Sequence, residues 1–229
     1  MENERVKIIV LNGWAASTHA WDLCGFMKES APDGTMPTLF SYVDQLDGKP
    51  EQMIEKGGRF VLVGWSMGGS SALRLACRYP DRIAGLVLVA TTPKMMEERD
   101  SGWRGMSPRR LEALRRGLEI TCGQGFFGVP EGRPNPYMQD EPENLARGLK
   151  YLFETDARAD VERVFSGGCA FPVHVFQSAQ DGIVRSASAI WLKSVFPEAQ
   201  LHMFEGCEHA LPIVIPEQID AAVRSIKGL

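Results

Sequence analysis

Residues 59–69 have the sequence RFVLVGWSMGG, an apolar run that leads directly into a G-x-S-x-G motif. The run from Phe60 to Val63 is continuous rather than alternating, which is typical of a central parallel strand covered on both faces. After the motif, Met67 to Tyr79 carries apolar residues at helical spacing. This stretch therefore predicts a strand, a sharp turn centred on Ser66, and a helix.

The same alternation of strand and helix patterns continues along the chain. Short β-rich runs separated by amphipathic stretches indicate parallel strands joined by crossover helices. The predicted strands are Val6 to Leu11, Leu39 to Val43, Arg59 to Gly64, Gly85 to Ala90, Val173 to Ser178 and Gln200 to Phe204. The further predicted helices are Ala20 to Glu29, Ala187 to Phe196 and Pro216 to Ile226. We therefore predict an α/β fold, a mostly parallel sheet of about six strands flanked by helices.

The pattern changes between Pro93 and Pro172, where strand signals end and charge density rises. Two candidate helices here each carry a leucine stripe on one face, formed by Leu111, Leu114 and Leu118 and by Leu145, Leu149 and Leu152. We predict that residues 93–172 form a helical cap over the carboxyl edge of the sheet. Residues 1–92 and 173–229 would then form the core of a single domain.

Composition and charge exclude several classes of protein. The 229 residues include 25 basic and 29 acidic side chains, a net charge of −4 that gives no reason to expect a nucleic-acid partner. The longest apolar runs fall far short of the roughly 20 residues that a membrane span requires, and no secretory signal is recognisable. Five cysteines without C-x-x-C spacing indicate reduced thiols. We expect a soluble, cytoplasmic monomer without a metal site.

Ser66 is the candidate nucleophile. A tight turn between a strand and a helix needs small neighbours, here Gly64 and Gly68, and it exposes the central hydroxyl at the sheet edge. The alternative is a glycine-rich packing turn in which the serine is incidental.

A serine hydroxyl needs a nearby base, and the chain offers four histidines. His174 and His202 lie inside predicted strands, and His19 lies too early for the usual order of serine, acid and histidine. His209 follows the last predicted strand in a loop, from which an imidazole can reach over the sheet edge. His209 is therefore the candidate base, and an ordinary surface histidine is the alternative.

Asp181 is the candidate acid, because it follows the penultimate predicted strand and so lies at the same edge. Its carboxylate would hold the His209 ring in one tautomer. Alternatively, Asp181 caps the helix that begins near Ser186. Asp156 and Asp160 are weaker candidates, because they lie in the predicted cap.

Two backbone N–H groups are candidates for an oxyanion hole. One belongs to Met67, directly after the serine, and the other to Trp14 in the loop after the first strand. We assign substrate contacts to Trp14, Trp65 and Phe126. Hydrolysis by these groups requires no metal or organic cofactor.

Four short motifs give the chain a family resemblance. They are Asn-Gly-Trp at 12–14, Gly-Trp-Ser-Met-Gly-Gly at 64–69, Asp-Gly-Ile-Val at 181–184 and His-Ala-Leu-Pro at 209–212. At these residues the chain resembles the α/β-hydrolase superfamily and, more narrowly, the pimeloyl-[acyl-carrier protein] methyl ester esterases of biotin synthesis. The resemblance implies a triad of Ser66, Asp181 and His209, oxyanion donors at Trp14 and Met67, and hydrolysis through an acyl-serine. The chain departs from the superfamily pattern in three respects. Asn12-Gly13 stands where His-Gly is usual, the two extra N-terminal strands of larger hydrolases are not expected, and the stretch after Leu39 lacks the common Gly-x-Gly turn.

The resemblance also implies a protein partner. In this family, basic residues on the cap receive the acidic carrier protein. The basic residues here are Arg104, Arg109, Arg110, Arg115, Arg116, Arg147 and Lys150. The alternative is a solvated helix face without a partner.

Other functions remain open at this point. A thioesterase or a general short-chain carboxylesterase would use the same three side chains. Haloperoxidase and C–C hydrolase activities also occur on this scaffold. A protein of a different class, a ligand-sensing or partner-binding homologue with slow turnover, would keep the same motifs.

Overall fold

The computed structural model describes residues 6–16, 21, 36–121, 129, 131–133, 135, 137 and 140–226, and it leaves the side chains at 118, 119 and 121 undescribed. Within these residues a parallel sheet has the strand order β2-β1-β3-β4-β5-β6. The strands are β1 Val6–Leu11, β2 Thr38–Phe40, β3 Arg59–Trp65, β4 Ile83–Val89, β5 Val173–Ser178 and β6 Gln200–Phe204. The predicted α/β architecture is confirmed.

Helices connect these strands and cover the sheet. They are α1 Tyr42–Leu46, α2 Lys49–Glu55, α3 Met67–Arg78, α4 Pro108–Thr121, α5 Pro142–Glu154, α6 Arg158–Phe165, α7 Ser186–Val195, α8 Leu211–Val214 and α9 Pro216–Arg224, with a 3₁₀ turn at Pro80–Arg82. The predicted helix Ala20 to Glu29 lies outside the described residues except for Trp21, which is fully buried. Among the described residues, no helix combines the length and the apolar character needed to cross a membrane.

The apolar side chains of β3 contribute to two separate hydrophobic cores. Val61 and Val63 face one core, which also includes residues of α4, α5 and α9. Phe60 and Leu62 face the other core, together with residues of α3, α6 and α7. Since successive side chains of a strand point to opposite faces, a strand covered on both sides must be apolar throughout. The prediction of a central strand at β3 agrees with this arrangement.

The predicted strand Leu39 to Val43 is wrong in its second half. The strand ends at Phe40, and α1 begins at Tyr42. Ser41 and Asp44 form a capping box, in which the Ser41 hydroxyl accepts from the Asp44 N–H at 3.1 Å and the Asp44 carboxylate accepts from the Ser41 N–H at 2.9 Å. This reciprocal cap starts a helix and outweighs the β preference of Tyr42 and Val43.

Several helices were not predicted, for reasons of length. Helices α2, α6 and α8 span seven, eight and four residues, which is too short for a clear helical period in the sequence. In α6, Val161 and Phe165 are buried in the core that α3 and α7 share. This part of residues 93–172 therefore covers the sheet face on the α3 side.

The chain leaves the sheet after β4 and returns to it before α6. The two ends of the segment between β4 and α6 lie next to each other. Lys94 and Asp156 form an antiparallel bridge, and Lys94 Nζ lies 3.1 Å from Asp156 Oδ2. Arg158 joins the same cluster through ion pairs to Asp156 at 2.7 Å and to Glu98 at 2.8 Å. We call residues 95–155 the covering segment, and its two ends are thus fastened together. The assignment of residues 93–172 to a distinct cap stays a prediction.

The contact between α3 and β1 permits no side chain at Gly68. A Cβ atom at this position would lie 2.1 Å from the Leu11 carbonyl oxygen. We expect Gly68→Ala to lower the free energy of unfolding by about 3 kcal/mol or more, because both partners are backbone and neither can rotate away. Urea denaturation followed by circular dichroism measures this change. Gly167→Ala, with nothing within 4 Å of the new Cβ, is the matched control and should stay near wild type. Equal stability of the two variants would contradict the argument.

Candidate active site

Ser66 lies in the turn between β3 and α3 with φ 55° and ψ −118°, a backbone conformation that residues other than glycine rarely adopt. A Cβ at Gly64 would lie 2.5 Å from the Gly68 carbonyl oxygen, so the two glycines permit the close approach within this turn. This strained turn between a strand and a helix has the geometry that the G-x-S-x-G motif predicts.

The three predicted polar side chains meet at the carboxyl edge of the sheet. His209 Nε2 lies 3.0 Å from Ser66 Oγ, and His209 Nδ1 lies 2.8 Å from Asp181 Oδ2. An ionised carboxylate only accepts hydrogen bonds, so Nδ1 carries the proton and Nε2 is left to accept from the Ser66 hydroxyl. The exposed fractions of these residues are only 7% for Ser66, 7% for Asp181 and 3% for His209. Bulk water therefore has little access to the chain of hydrogen bonds.

Further hydrogen bonds fix the Asp181 carboxylate. Oδ1 accepts from the N–H groups of Ile183 at 2.8 Å and Val184 at 2.9 Å. Oδ2 accepts from Gln177 Nε2 at 3.3 Å, and Gln177 also donates to the Val184 carbonyl at 2.9 Å. Asp181 thus caps its own loop, whereas the N-cap position of α7 is Arg185. Gln177 was not predicted, although a polar residue near the end of an apolar strand is a detectable signal.

The loop that carries His209 is anchored from two sides. Trp65 Nε1 donates to the His209 carbonyl at 3.1 Å, and the two rings lie 5.9 Å apart. Ser178 Oγ donates to the Cys207 carbonyl. Because Trp65 directly precedes Ser66, this contact joins the His209 loop to the turn that carries the Ser66 hydroxyl.

The loop after β1 lies against Ser66. A Cβ on Gly13 would lie 3.2 Å from the Ser66 Cβ, so the loop and the serine are in close contact. Gln45 Nε2 donates to the Asn12 carbonyl at 2.9 Å and helps to hold the loop. The backbone N–H groups of Trp14 and Met67 donate to no acceptor within the described part of the chain. Both are therefore available to an oxygen atom that develops negative charge.

A mainly apolar pocket, which we call the catalytic cavity, adjoins the Ser66 hydroxyl. Besides Gly13, Ser66 and His209, its lining residues are Trp14, Trp65, Met95, Leu111, Leu114, Tyr137, Leu152 and Ile183. The leucine stripes of α4 and α5 thus face the site through three of their members. Burial raises the pKa of Tyr137 well above its usual value, and the Asp181 charge adds to this effect, so its phenol stays protonated. Tyr137 was not predicted as a lining residue, and the predicted Phe126 lies outside the described residues.

Other candidate residues lie elsewhere. His174 and His202 stack on each other with Nδ1 of His174 3.2 Å from Nε2 of His202, and burial lowers the pKa of both rings. Asp156 binds Lys94 and Arg158 in the cluster at the ends of the covering segment. His19 is not among the described residues.

Known proteins of similar sequence identify the family of the chain. A model of the Alpha/beta hydrolase family matches residues 9–222, and the chain belongs to that family. A pimeloyl-[acyl-carrier protein] methyl ester esterase of Nitrosomonas europaea is 29% identical over 92% of this chain and 91% of its own length. The corresponding esterase of Chromobacterium violaceum is 31% identical over 69% of this chain and 65% of its own.

Solved structures share the fold. A hydrolase from Oleispira antarctica superposes with a TM-score of 0.71 at 16% identity, covering 95% of this chain and 89% of that one. The expected family resemblance is confirmed, and the relatives support the prediction of a carboxylic ester hydrolase.

Proposed function

We propose that the chain is a serine esterase whose nucleophile is Ser66. The observation that carries the proposal is the 3.0 Å contact between Ser66 Oγ and His209 Nε2, within a row of hydrogen bonds that ends at Asp181. A hydroxyl next to an unprotonated ring nitrogen becomes reactive because the nitrogen takes its proton as the oxygen attacks.

The reaction proceeds through two tetrahedral intermediates. Ser66 Oγ attacks the ester carbonyl while His209 Nε2 takes the hydroxyl proton, and the oxyanion binds the N–H groups of Trp14 and Met67. His209 then gives its proton to the departing alcohol, which leaves an acyl-serine. Water attacks the acyl carbonyl with His209 again as base, and the acid product leaves. Asp181 stabilises the imidazolium in both halves of the reaction.

The substrate is a methyl ester at the end of an acyl chain that an acyl-carrier protein bears. Two observations support this assignment: the similarity to pimeloyl-[acyl-carrier protein] methyl ester esterases, and a cavity lined mainly by apolar side chains. An apolar wall binds methylene groups, and a methyl leaving group needs little space. The product would be a carrier-bound acid for cytoplasmic biotin synthesis.

The carrier-protein surface would centre on the start of α4. Arg104, Arg109 and Arg110 are exposed and form no ion pair with any residue that the structure describes. Arg110 also lines a hollow with Arg185 and Glu97, next to the Ile183 wall of the catalytic cavity. Positive charge without an internal partner thus lies beside the site, where an acidic protein would bind.

The other predicted contacts already have partners. Arg115 and Arg116 bind Glu112, and hydrogen bonds from Arg115 are the main reason that the pKa of Glu112 falls to about 2. Arg147 binds Asp47, and Lys150 lies 3.9 Å from Glu154. These four side chains would have to exchange partners, so we expect them to contribute less to carrier binding.

Charge reversal tests the basic residues at the start of α4 that form no ion pair with the described residues. We expect Arg109→Glu with Arg110→Glu to raise KM for a carrier-bound ester by about tenfold at low salt, because steering by opposite charges is lost, and to leave hydrolysis of a small neutral ester unchanged. Steady-state kinetics at two salt concentrations measure this effect. Lys56→Glu with Arg82→Glu, at the amino edge of the sheet, changes the net charge by the same amount and is the control. An equal KM for the double variant and the control would exclude this surface.

The substrate assignment is tested with purified carrier protein bearing a pimeloyl methyl ester. Release of methanol, with the carrier thioester intact, is the expected outcome. Release of the carrier thiol would instead identify a thioesterase. Complementation of a biotin auxotroph that lacks its own esterase, with Ser66→Ala as the inactive control, tests the same assignment in the cell.

A further inference from the structure

Helix α5 contacts the Trp14 side chain directly. The Trp14 indole Nε1 donates to the Leu145 carbonyl at 3.2 Å, and this hydrogen bond is buried. A carbonyl oxygen has two lone pairs, so Leu145 can accept this bond in addition to the one within its helix. The covering segment is thereby joined to the loop after β1, 131 residues away in sequence.

Gly148 makes this contact possible. A Cβ at position 148 would lie 2.4 Å from Trp14 Cδ1, 2.8 Å from Trp14 Nε1 and 3.1 Å from Tyr42 Cδ2. The backbone of α5 therefore lies flat against the indole. No other residue type fits here unless the helix or the ring moves.

The loop that holds Trp14 needs such support, because its backbone is strained. Ala15 has a φ of 58°, one of three positive values among the described non-glycine residues, and it is fully buried. A strained conformation persists only where surrounding contacts fix it. Gln45 holds the start of the loop at Asn12, and α5 holds the ring of Trp14 itself.

We propose that Gly148 and the Leu145 carbonyl are positioning residues for the oxyanion hole. By fixing the Trp14 ring from the side of α5, they orient the Trp14 backbone N–H toward the oxygen of the reacting carbonyl. This inference rests on the proposed esterase function and deepens it. The covering segment then supplies part of the catalytic geometry as well as the wall of the cavity.

A positioning role differs measurably from simple packing. An oxyanion donor acts mainly in the transition state, so its misalignment lowers kcat and weakens tetrahedral inhibitors by the same factor, with little change in KM. Butylboronic acid is a suitable probe, because the Ser66 oxygen forms a bond to boron, the hydroxyl proton passes to His209, and a tetrahedral anion results.

The experiment compares Gly148→Ala with Gly167→Ala, whose new Cβ meets nothing within 4 Å. For p-nitrophenyl butyrate we expect Gly148→Ala to lower kcat by about 10- to 100-fold and to raise Ki for butylboronic acid equally, with KM within about threefold. Gly167→Ala should match wild type. Trp14→Phe removes the indole N–H but keeps a ring and the backbone N–H, and we expect a loss of about threefold to tenfold in the same two quantities.

Two outcomes would overturn the inference. One is a kcat within twofold of wild type in both Gly148→Ala and Trp14→Phe. The other is a lower kcat without weaker boronate binding. If Gly148→Ala fails to fold, Trp14→Phe decides by the same two criteria. A wild-type protein that neither hydrolyses esters nor binds boronate would instead refute the proposed function itself.

Discussion

Replacement of Ser66 by alanine should lower kcat for p-nitrophenyl butyrate by about 10⁴- to 10⁶-fold. The variant loses the proposed attacking oxygen, while the proposed oxyanion donors, the N–H groups of Trp14 and Met67, remain and should still support slow direct attack by water. The fold should persist, because Ser66 makes no side-chain cap to α3 and its hydroxyl bonds to His209. Initial rates and circular dichroism measure both parts of this prediction.

Ser70→Ala is the matched control for this measurement. It removes a buried hydroxyl from the first turn of α3, one that donates to the Thr92 carbonyl at 2.7 Å, and it leaves Ser66, Asp181 and His209 intact. Its rate should stay close to wild type. A fluorophosphonate should label wild type and Ser70→Ala but not Ser66→Ala. Near-normal turnover by Ser66→Ala would refute the nucleophile assignment.

Asp181→Asn is expected to lower kcat by about 10³- to 10⁴-fold through the tautomer of His209. Oδ1 accepts from two backbone N–H groups, so the amide oxygen of asparagine takes that position. The NH₂ group then faces His209 Nδ1, which must become an acceptor, and the ring proton moves to Nε2. Nε2 can no longer take a proton from Ser66.

Asp160→Asn serves as the control, because Asp160 is exposed and paired with Arg163 on α6. The same chemical change there should leave kcat unaltered, with initial rates measured for both variants under the same conditions. If Asp160→Asn lost activity and Asp181→Asn did not, the acid would have to be reassigned.

Local signals explain what the sequence could predict. The strand, turn and helix around Ser66 are adjacent in the chain. The glycines of the motif are needed there because a side chain would clash with neighbouring backbone. The parallel sheet then brings Asp181 and His209 to the same edge, because both follow strands. The error at Leu39 to Val43 arose where a capping box competed with β-branched and aromatic residues.

Contacts between residues far apart in the chain could not be predicted from local sequence patterns. The partner of Arg147 is Asp47, one hundred residues earlier, so the sequence alone could not show which basic residues are neutralised. The contact between Gly148 and Trp14 is of the same kind. Tyr137 follows a glycine- and proline-rich stretch that has no periodic pattern, so nothing there indicated a place in the cavity wall.

The bridge between Lys94 and Asp156 has an evolutionary consequence. Where the two ends of an insertion meet, its length and sequence can change at small entropic cost to the sheet. The residues between the two ends can then be replaced together during evolution, which changes the range of substrates. The reactive groups at the edge of the sheet keep their positions. The exception to this replacement is any part of the segment that contacts Trp14, which must be inherited together with the loop it supports.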